Sequence, residues 1–163
     1  MCRLWRFGLL SDVGLGLRSL RSDVSTVLVV DDRAVNRDLV CTVLGYHGYA
    51  TRAAAGGAAA LWEVRCERPD LVLTDVWMPD VNGFELARAM RSEPGLQSIP
   101  VVFYTAHFLA APELLEAAAA GIGRIVAKTG DLEELLDAVD EVLQPGWAEP
   151  AAALRAVGAS AAC

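Results

Sequence analysis

Five apolar runs alternate with five stretches of helical pattern between residues 24 and 145. The apolar runs predict β-strands at about residues 26–30, 49–53, 70–74, 100–104 and 124–127. The first, third and fourth runs are continuous and rich in Val and Leu, which is typical of strands buried on both faces of a parallel sheet. The second run, YATRA, is less apolar and indicates an edge strand.

The stretches between the strands carry helix start and stop signals. They predict helices at about residues 34–44, 57–67, 84–91, 111–121 and 132–143. Gly45 and Gly48 are expected to end the first helix, and Asp131, with Glu134 three residues later, to cap the fifth. Because strands and helices alternate with short connections, we expect right-handed crossovers and a three-layer, doubly wound α/β fold.

Charge and cysteine content narrow the functional classes. Residues 24–145 hold 9 basic and 18 acidic groups, which disfavours direct binding to nucleic acid. The four cysteines have no C-x-x-C spacing, so we expect free thiols in the reducing cytoplasm. No apolar run reaches the roughly 20 residues of a membrane span.

The two ends of the chain do not fit the alternating pattern. Residues 1–23 are interpreted as a mis-called upstream extension or a disordered leader, with a short amphipathic arm bound to a partner as the alternative. Residues 24–145 form the predicted domain, and residues 146–163 an Ala- and Pro-rich tail too short for an output domain. Trp147 is therefore expected to lie outside the domain, whereas Trp62 is expected to pack in the core or in a groove on the second helix.

Polar residues end four of the five predicted strands. Asp31 and Asp32 follow the first strand, Asp75 the third and Thr105 the fourth, while Lys128 follows the fifth. The carboxyl ends of parallel strands meet at one edge of the sheet, where such folds place their ligand sites. The sequence therefore predicts one small acidic pocket that contains a single cationic side chain.

Crowded carboxylates repel one another, and a hard divalent cation removes that repulsion. Mg²⁺ prefers octahedral oxygen ligands and keeps several waters. We assign Asp32 and Asp75 as direct ligands, Asp31 as a water-mediated ligand and the backbone carbonyl of Trp77 as a further ligand.

The same residues predict phosphoryl chemistry. Asp75 is the candidate nucleophile, since a carboxylate can form an aspartyl-phosphate. Lys128 would neutralise charge on the transferring phosphoryl oxygens. Thr105 offers a hydroxyl that could hydrogen-bond a phosphoryl oxygen and so move the loop after the fourth strand.

These motifs resemble the receiver domains of bacterial two-component response regulators. The resemblance rests on VLVVDD, on the D-x-x-M-P-x-x-x-G string from Asp75 to Gly83, on YTA and on the late strand-end Lys128, and it covers about residues 24–143. It implies a flavodoxin-like sheet of order 2-1-3-4-5. It also implies phosphorylation of Asp75 with Mg²⁺ by a sensor histidine kinase or a phosphotransfer protein.

The resemblance further implies a signalling role. The domain would hydrolyse its own phosphoryl group and act as no enzyme on external substrates. Phosphorylation would switch binding of an unknown downstream protein through the face made by the fourth helix, fifth strand and fifth helix. It leaves open a homodimer through that face.

The sequence departs from the family pattern in three places. Thr129 stands where the family has a Pro with a cis bond before it, so we expect a trans peptide there. Ile125 replaces the usual aromatic residue of the switch. Trp77 and His107 flank the site entrance, where they would affect how fast water reaches a phosphorylated Asp75.

One other functional class is the runner-up, and a third is disfavoured by the sequence. Thr129 and Ile125 favour a pseudo-receiver that binds proteins without phosphotransfer. A phosphatase with an aspartyl nucleophile would need an acid/base carboxylate two residues after Asp75, and Trp77 occupies that position.

Overall fold

The computed structural model describes residues 24–145 and Trp147. Five parallel strands form one sheet of order β2-β1-β3-β4-β5, so the predicted fold class and strand order are confirmed. The strands are β1 (Thr26–Val30), β2 (Ala50–Ala54), β3 (Leu71–Thr74), β4 (Val101–Thr105) and β5 (Arg124–Ala127). The helices are α1 (Ala34–Tyr46), α2 (Gly57–Cys66), α3 (Gly83–Ser92), α4 (Ala111–Ala119) and α5 (Leu132–Leu143).

The sheet is covered by apolar helix faces on both sides. Successive side chains of a strand point to opposite faces, and in β1 Leu28 and Val30 join one buried cluster while Val27 and Val29 join the other. The first cluster includes residues of α2, α3 and α4, and the second includes residues of α1 and α5. Strand β2 is the partly exposed edge, as its weak apolar pattern predicted.

Some element boundaries differ from the prediction. Helix α1 continues through Gly45, because this glycine faces open space and its conformation is helical. The chain turns only at Gly48, whose φ is +90°. Strand β4 includes Thr105 as its last residue. The Asp131 side chain does cap α5, accepting hydrogen bonds from the backbone N–H groups of Glu133 and Glu134.

The prediction for Trp62 is wrong. Its side chain is 57% exposed, because α2 packs on the sheet through the small residues Gly57, Ala60 and Val64 on its other side. A Cβ atom at Gly57 would lie 2.4 Å from the carbonyl oxygen of Val81. The close approach of α2 therefore depends on small residues and leaves the large ring in solvent.

The prediction for Trp147 is also wrong, because its indole packs against the domain. It contacts the cluster beneath α1 and α5, and a Cβ atom at Gly123 would lie 2.3 Å from Cη2 of the indole. The absence of a side chain at Gly123 provides the space for the ring. The backbone N–H of Trp147 donates to the carbonyl oxygen of Gln144 at 3.1 Å.

Two further observations concern the backbone and the helix lengths. All peptide bonds of the described residues are trans, including the one between Lys128 and Thr129, as expected from the replacement of proline. Among residues 24–145, no helix has the length and apolar character needed to cross a membrane.

Candidate metal and phosphoacceptor site

The structure brings the three predicted carboxylates together at the carboxyl edge of the sheet. Strands β1 and β3 are neighbours, with Val30 opposite Thr74, so the residues that follow them, Asp31 and Asp75, lie side by side. One carboxylate oxygen from each of Asp31, Asp32 and Asp75 falls within 4.8 Å of the others. Asp31 and Asp75 are nearly buried, whereas Asp32 is exposed.

Lys128 lies between the two buried carboxylates. Its Nζ is 2.5 Å from Oδ2 of Asp31 and 2.6 Å from Oδ2 of Asp75, and its side chain is 13% exposed. The backbone N–H of Lys128 donates to the carbonyl oxygen of Thr105 at 2.8 Å, which anchors the residue at the end of β5. The Nζ is also 5.4 Å from the ring centroid of Tyr104, within the range of a cation–π contact.

The electrostatic surroundings also affect Tyr104. Burial raises the pKa of this phenol, the Lys128 ammonium partly opposes that rise, and the Asp31 carboxylate adds a smaller upward contribution. The ring therefore stays neutral as it lies beside the ion pair. It forms an apolar wall on one side of the site.

Asp75 is fixed by the loop that follows it. Its Oδ1 accepts a hydrogen bond from the backbone N–H of Val76 at 2.6 Å, and its own N–H extends the sheet by donating to Val30 at 2.8 Å. Helix α3 begins close against this loop, because Gly83 donates its N–H to the carbonyl oxygen of Val76 at 2.8 Å. The backbone of the phosphoacceptor candidate Asp75 is thus fixed by the sheet, and its side chain is fixed by the loop that follows it.

A capping box at the start of α3 was missed by the sequence analysis. The Asn82 side chain accepts from the N–H of Glu85 at 2.9 Å, and the Glu85 carboxylate accepts from the N–H of Asn82 at 3.0 Å. Asn followed three residues later by Glu is a known signature of a helix start. The signal was therefore present within the D-x-x-M-P-x-x-x-G string.

Thr105 lies at the same edge as the carboxylates. It is 2% exposed, and its Oγ1 accepts a hydrogen bond from the backbone N–H of His107 at 3.2 Å. The side chain of His107 itself is in the exposed loop after β4. A hydroxyl that accepts one hydrogen bond can still donate its proton, so the geometry is compatible with the role predicted for Thr105.

Trp77 lies in the loop between β3 and α3 and is 43% exposed. Its ring packs edge-to-face on Phe84, with centroids 6.2 Å apart, and Phe84 packs in the same way on Phe103 at 5.0 Å. These contacts place the Trp77 side chain on an aromatic stack that reaches β4. The role of its carbonyl oxygen as a metal ligand stays a prediction.

The first turn of α1 holds Asp31, a feature that the sequence analysis did not identify. The Asp31 carboxylate accepts hydrogen bonds from the backbone N–H of Arg33 and from the side-chain amide of Asn36. The guanidinium of Arg37 donates to the backbone carbonyl of Asp31 at 2.7 Å. The available signal was Arg33 at the helix N-cap, since it offers no short acceptor to the first-turn N–H groups.

The residues present fit a Mg²⁺ ion. Three carboxylates converge, and carboxylate oxygens are the ligands that hard divalent cations prefer. The Lys128 ammonium bridges Asp31 and Asp75, so this place already accepts positive charge. The direct ligation predicted for Asp32, Asp75 and the Trp77 carbonyl, and the water-mediated ligation predicted for Asp31, stay predictions.

Comparison with known proteins identifies the class. The family described as the response regulator receiver domain matches residues 27–140, and the chain belongs to this family. It is therefore a receiver domain of the two-component system response regulators.

Two of the sequence relatives are regulators with longer chains. A probable transcriptional regulatory protein, TcrX of Mycobacterium tuberculosis, is 38% identical over 112 residues, which cover 68% of this chain and 46% of that protein. The DNA-binding response regulator MtrA of Mycobacterium leprae is 40% identical over 80 residues, covering 49% of this chain and 34% of that protein. The chain thus spans less than half of the length of these two relatives.

Solved structures support the same assignment. The chemotaxis protein CheY4 of Vibrio cholerae has a TM-score of 0.69 and 30% identity, covering 73% of this chain and 98% of that one. The response regulator TrrA of Thermotoga maritima, solved in complex with Mg(2+)-BeF, has a TM-score of 0.67 and 28% identity, covering 73% of this chain and 99% of that one.

Proposed function

We propose that this receiver domain accepts a phosphoryl group on Asp75 from a sensor histidine kinase or a phosphotransfer protein, with Mg²⁺ bound. The observation that carries the proposal is the Lys128 ammonium, which lies within 2.6 Å of both Asp31 and Asp75. Phosphoryl transfer needs positioning and positive charge more than covalent chemistry from the protein. Lys128 supplies positive charge beside the acceptor carboxylate of Asp75, and the strand ends supply the positioning.

In the proposed reaction, an Asp75 carboxylate oxygen forms a bond to phosphorus as the P–N bond of a phosphohistidine breaks. The histidine leaves with the electron pair of that bond. Bound Mg²⁺ supplies neutralisation of the phosphoryl charge. Lys128 exchanges its contact with the Asp75 carboxylate for one with a phosphoryl oxygen, and the buried Thr105 hydroxyl donates to another.

The switch is proposed to act through the loop after β4. When Thr105 turns its hydroxyl toward the phosphoryl group, the contact with the His107 N–H is lost and the loop moves. The face of α4, β5 and α5 then changes and binds a downstream protein, with a homodimer through this face as an open alternative. We place the domain in the cytoplasm and assign it no nucleic-acid contact of its own.

The domain is proposed to act on no external substrate and to hydrolyse only its own phosphoaspartate. Trp77, two residues after Asp75, has no acid/base group to protonate a leaving group or activate water. Its indole flanks the approach to the carboxylate and, with His107 beyond Thr105, would affect the rate at which water reaches the phosphoryl group.

The second candidate is a pseudo-receiver that binds a partner without phosphotransfer. Thr129 after the lysine and Ile125 in β5, where the family has Pro and an aromatic residue, favour it. Against it, Lys128 reaches both Asp31 and Asp75 despite the trans peptide that follows. This ion-pair geometry supports phosphotransfer as the preferred function.

The test is incubation with a small acyl phosphate, with and without Mg²⁺, followed by intact mass. We expect one Mg²⁺-dependent phosphoryl adduct, absent in Asp75→Asn. Asp80→Asn is the matched control, because Asp80 is an exposed carboxylate of the same loop with φ +65°, a conformation that Asn tolerates. An adduct in Asp75→Asn refutes the acceptor assignment, and no adduct in a protein that binds Mg²⁺ favours the pseudo-receiver.

A further inference from the structure

Asn36 contacts the site through Asp31. Helix α1 begins at its N-cap Arg33 without a side-chain capping bond and without an acidic residue in its first turn. The Asp31 carboxylate serves instead, since its Oδ1 accepts from the N–H of Arg33 at 2.8 Å. The Nδ2 amide of Asn36 lies 3.1 Å from Oδ1 and 3.0 Å from Oδ2 of the same carboxylate.

Three donors fix the orientation of the Asp31 carboxylate, and one of them, the Asn36 amide, spans both oxygens. A carboxylate offers about four lone-pair positions. Oδ1 of Asp31 contacts the Arg33 N–H and the Asn36 amide, and Oδ2 contacts the Asn36 amide and Lys128. The carboxylate is therefore held from both of its oxygens and cannot turn freely toward an ion.

The donors differ in how easily they leave. The Arg33 N–H belongs to the start of α1, and Asn36 is fixed one turn further along that helix. Lys128 has Asp75 as a second carboxylate partner, so it can release Asp31 without losing its ion pair. When Lys128 moves, the two donors of α1 still hold the carboxylate in the same orientation.

We propose that Asn36 is a positioning residue for the metal. It holds the Asp31 carboxylate in an orientation from which Asp31 meets Mg²⁺ only through a bound water, and direct carboxylate ligation is left to Asp32 and Asp75. The inference rests on the proposed function, because it concerns the metal of that site. It assigns a role to α1 that the motifs of the sequence do not include.

The variant Asn36→Ala separates this role from a structural one. Removal of the amide releases the contact that spans both oxygens of Asp31, so the carboxylate can turn one oxygen directly to the ion. A third direct carboxylate should tighten metal binding roughly threefold to tenfold, since metal affinity follows the number of charged ligands. A residue that only supports the local structure would have the opposite effect, because its loss would weaken the site.

The experiment is a Mn²⁺ titration followed by the paramagnetic resonance signal of the free ion, with Mg²⁺ as competitor. Mn²⁺ shares the octahedral oxygen preference of Mg²⁺. Gln97→Ala is the matched control, as it truncates an exposed amide outside the site and should leave the affinity unchanged. Unchanged or weaker binding in a folded Asn36→Ala, checked by circular dichroism, overturns the proposal.

A second comparison does not depend on the folding of that variant. In the otherwise native protein, Asp31→Asn should weaken Mn²⁺ binding less than Asp32→Asn, although each removes one negative charge. Equal losses, or a larger loss for Asp31→Asn, overturn the proposal. A native protein that binds neither ion refutes the Mg²⁺-dependent function itself, whereas normal phosphorylation with unchanged affinity in Asn36→Ala refutes this inference alone.

Discussion

Replacement of Gly83 by alanine tests how closely α3 packs on the loop that carries Asp75. A Cβ atom there would lie 2.6 Å from the carbonyl oxygen of Asp75, 3.1 Å from Cα of Val76 and 3.3 Å from Cε1 of Phe103. The first two contacts are with backbone atoms, which cannot move aside by changing a rotamer. The helix or the Asp75 loop must shift instead.

The size of the effect follows from two opposing contributions. An extra methyl group in a closely packed region destabilises by about 1–3 kcal/mol, whereas alanine is favoured over glycine in a helix by up to about 1 kcal/mol. We therefore expect Gly83→Ala to lower the free energy of unfolding by about 1–2 kcal/mol. The shift of the Asp75 loop should also slow formation of the acyl phosphate.

Gly45→Ala is the matched control. Gly45 lies inside α1, and a Cβ atom there would meet nothing within 4 Å. This substitution should raise the free energy of unfolding by about 0.5–1 kcal/mol. The same chemical change is thus expected to have opposite signs at the two positions.

Urea unfolding of the three proteins measures the difference, provided that the dependence on urea concentration is the same in each. Phosphorylation by the acyl phosphate is then followed under conditions where all three are folded. If Gly83→Ala is as stable as Gly45→Ala, the packing argument is refuted. If it is less stable but phosphorylated at the native rate, the link from helix packing to Asp75 is refuted.

Three further predictions concern other parts of the domain. Burial and the hydrogen bond to Asp140 raise the pKa of Tyr49 to about 12 from 10.0; the folded state therefore retains this proton longer, and stability should fall as pH rises from 10.0 through about 12. Urea midpoints measured at about pH 9 and about pH 11, on either side of the unfolded-state pKa, should differ less in Tyr49→Phe than in the native protein. An equal difference in the two proteins contradicts the raised pKa of Tyr49. Asn82→Ala removes the α3 cap and should destabilise by about 1 kcal/mol in urea unfolding; no change would mean that the cap is replaced by water. Mg²⁺ should change tryptophan emission in the native protein but not in Trp77→Phe. Identical responses in the two proteins would show that Trp77 does not lie at the metal site.

The sequence predicted those features that depend on short-range pattern. Continuous Val and Leu runs identified the buried strands, and the polar residues that end four of the five strands marked the edge where the site forms. Asp31, Asp75 and Lys128 could therefore be placed together before any coordinates, because parallel strands bring their carboxyl ends to one edge. Their individual roles stay predictions.

The sequence could not predict the features that depend on tertiary contacts. Trp62 is exposed because the small residues on the other side of α2 permit close packing. Which side of α2 is buried depends on the loop that contains Val81, against which Gly57 packs. Trp147 packs where Gly123 lacks a side chain. The two residues are 24 positions apart, and no periodic pattern in the sequence predicts such a contact. Asn36 was overlooked because an amide in a helix is ordinary until its partner, Asp31, is known.

The ion pair of Lys128 involves the only lysine of the chain, so covalent modification of amines can report when this ion pair opens. Lys128 is the only lysine of the 163 residues, so an amine-reactive reagent can modify this side chain and the chain's amino terminus and no other amine. Its side chain is 13% exposed and bridges two carboxylates, and acylation would require it to leave them. The extent of modification of a single peptide would therefore measure how often the site opens, without any engineered label.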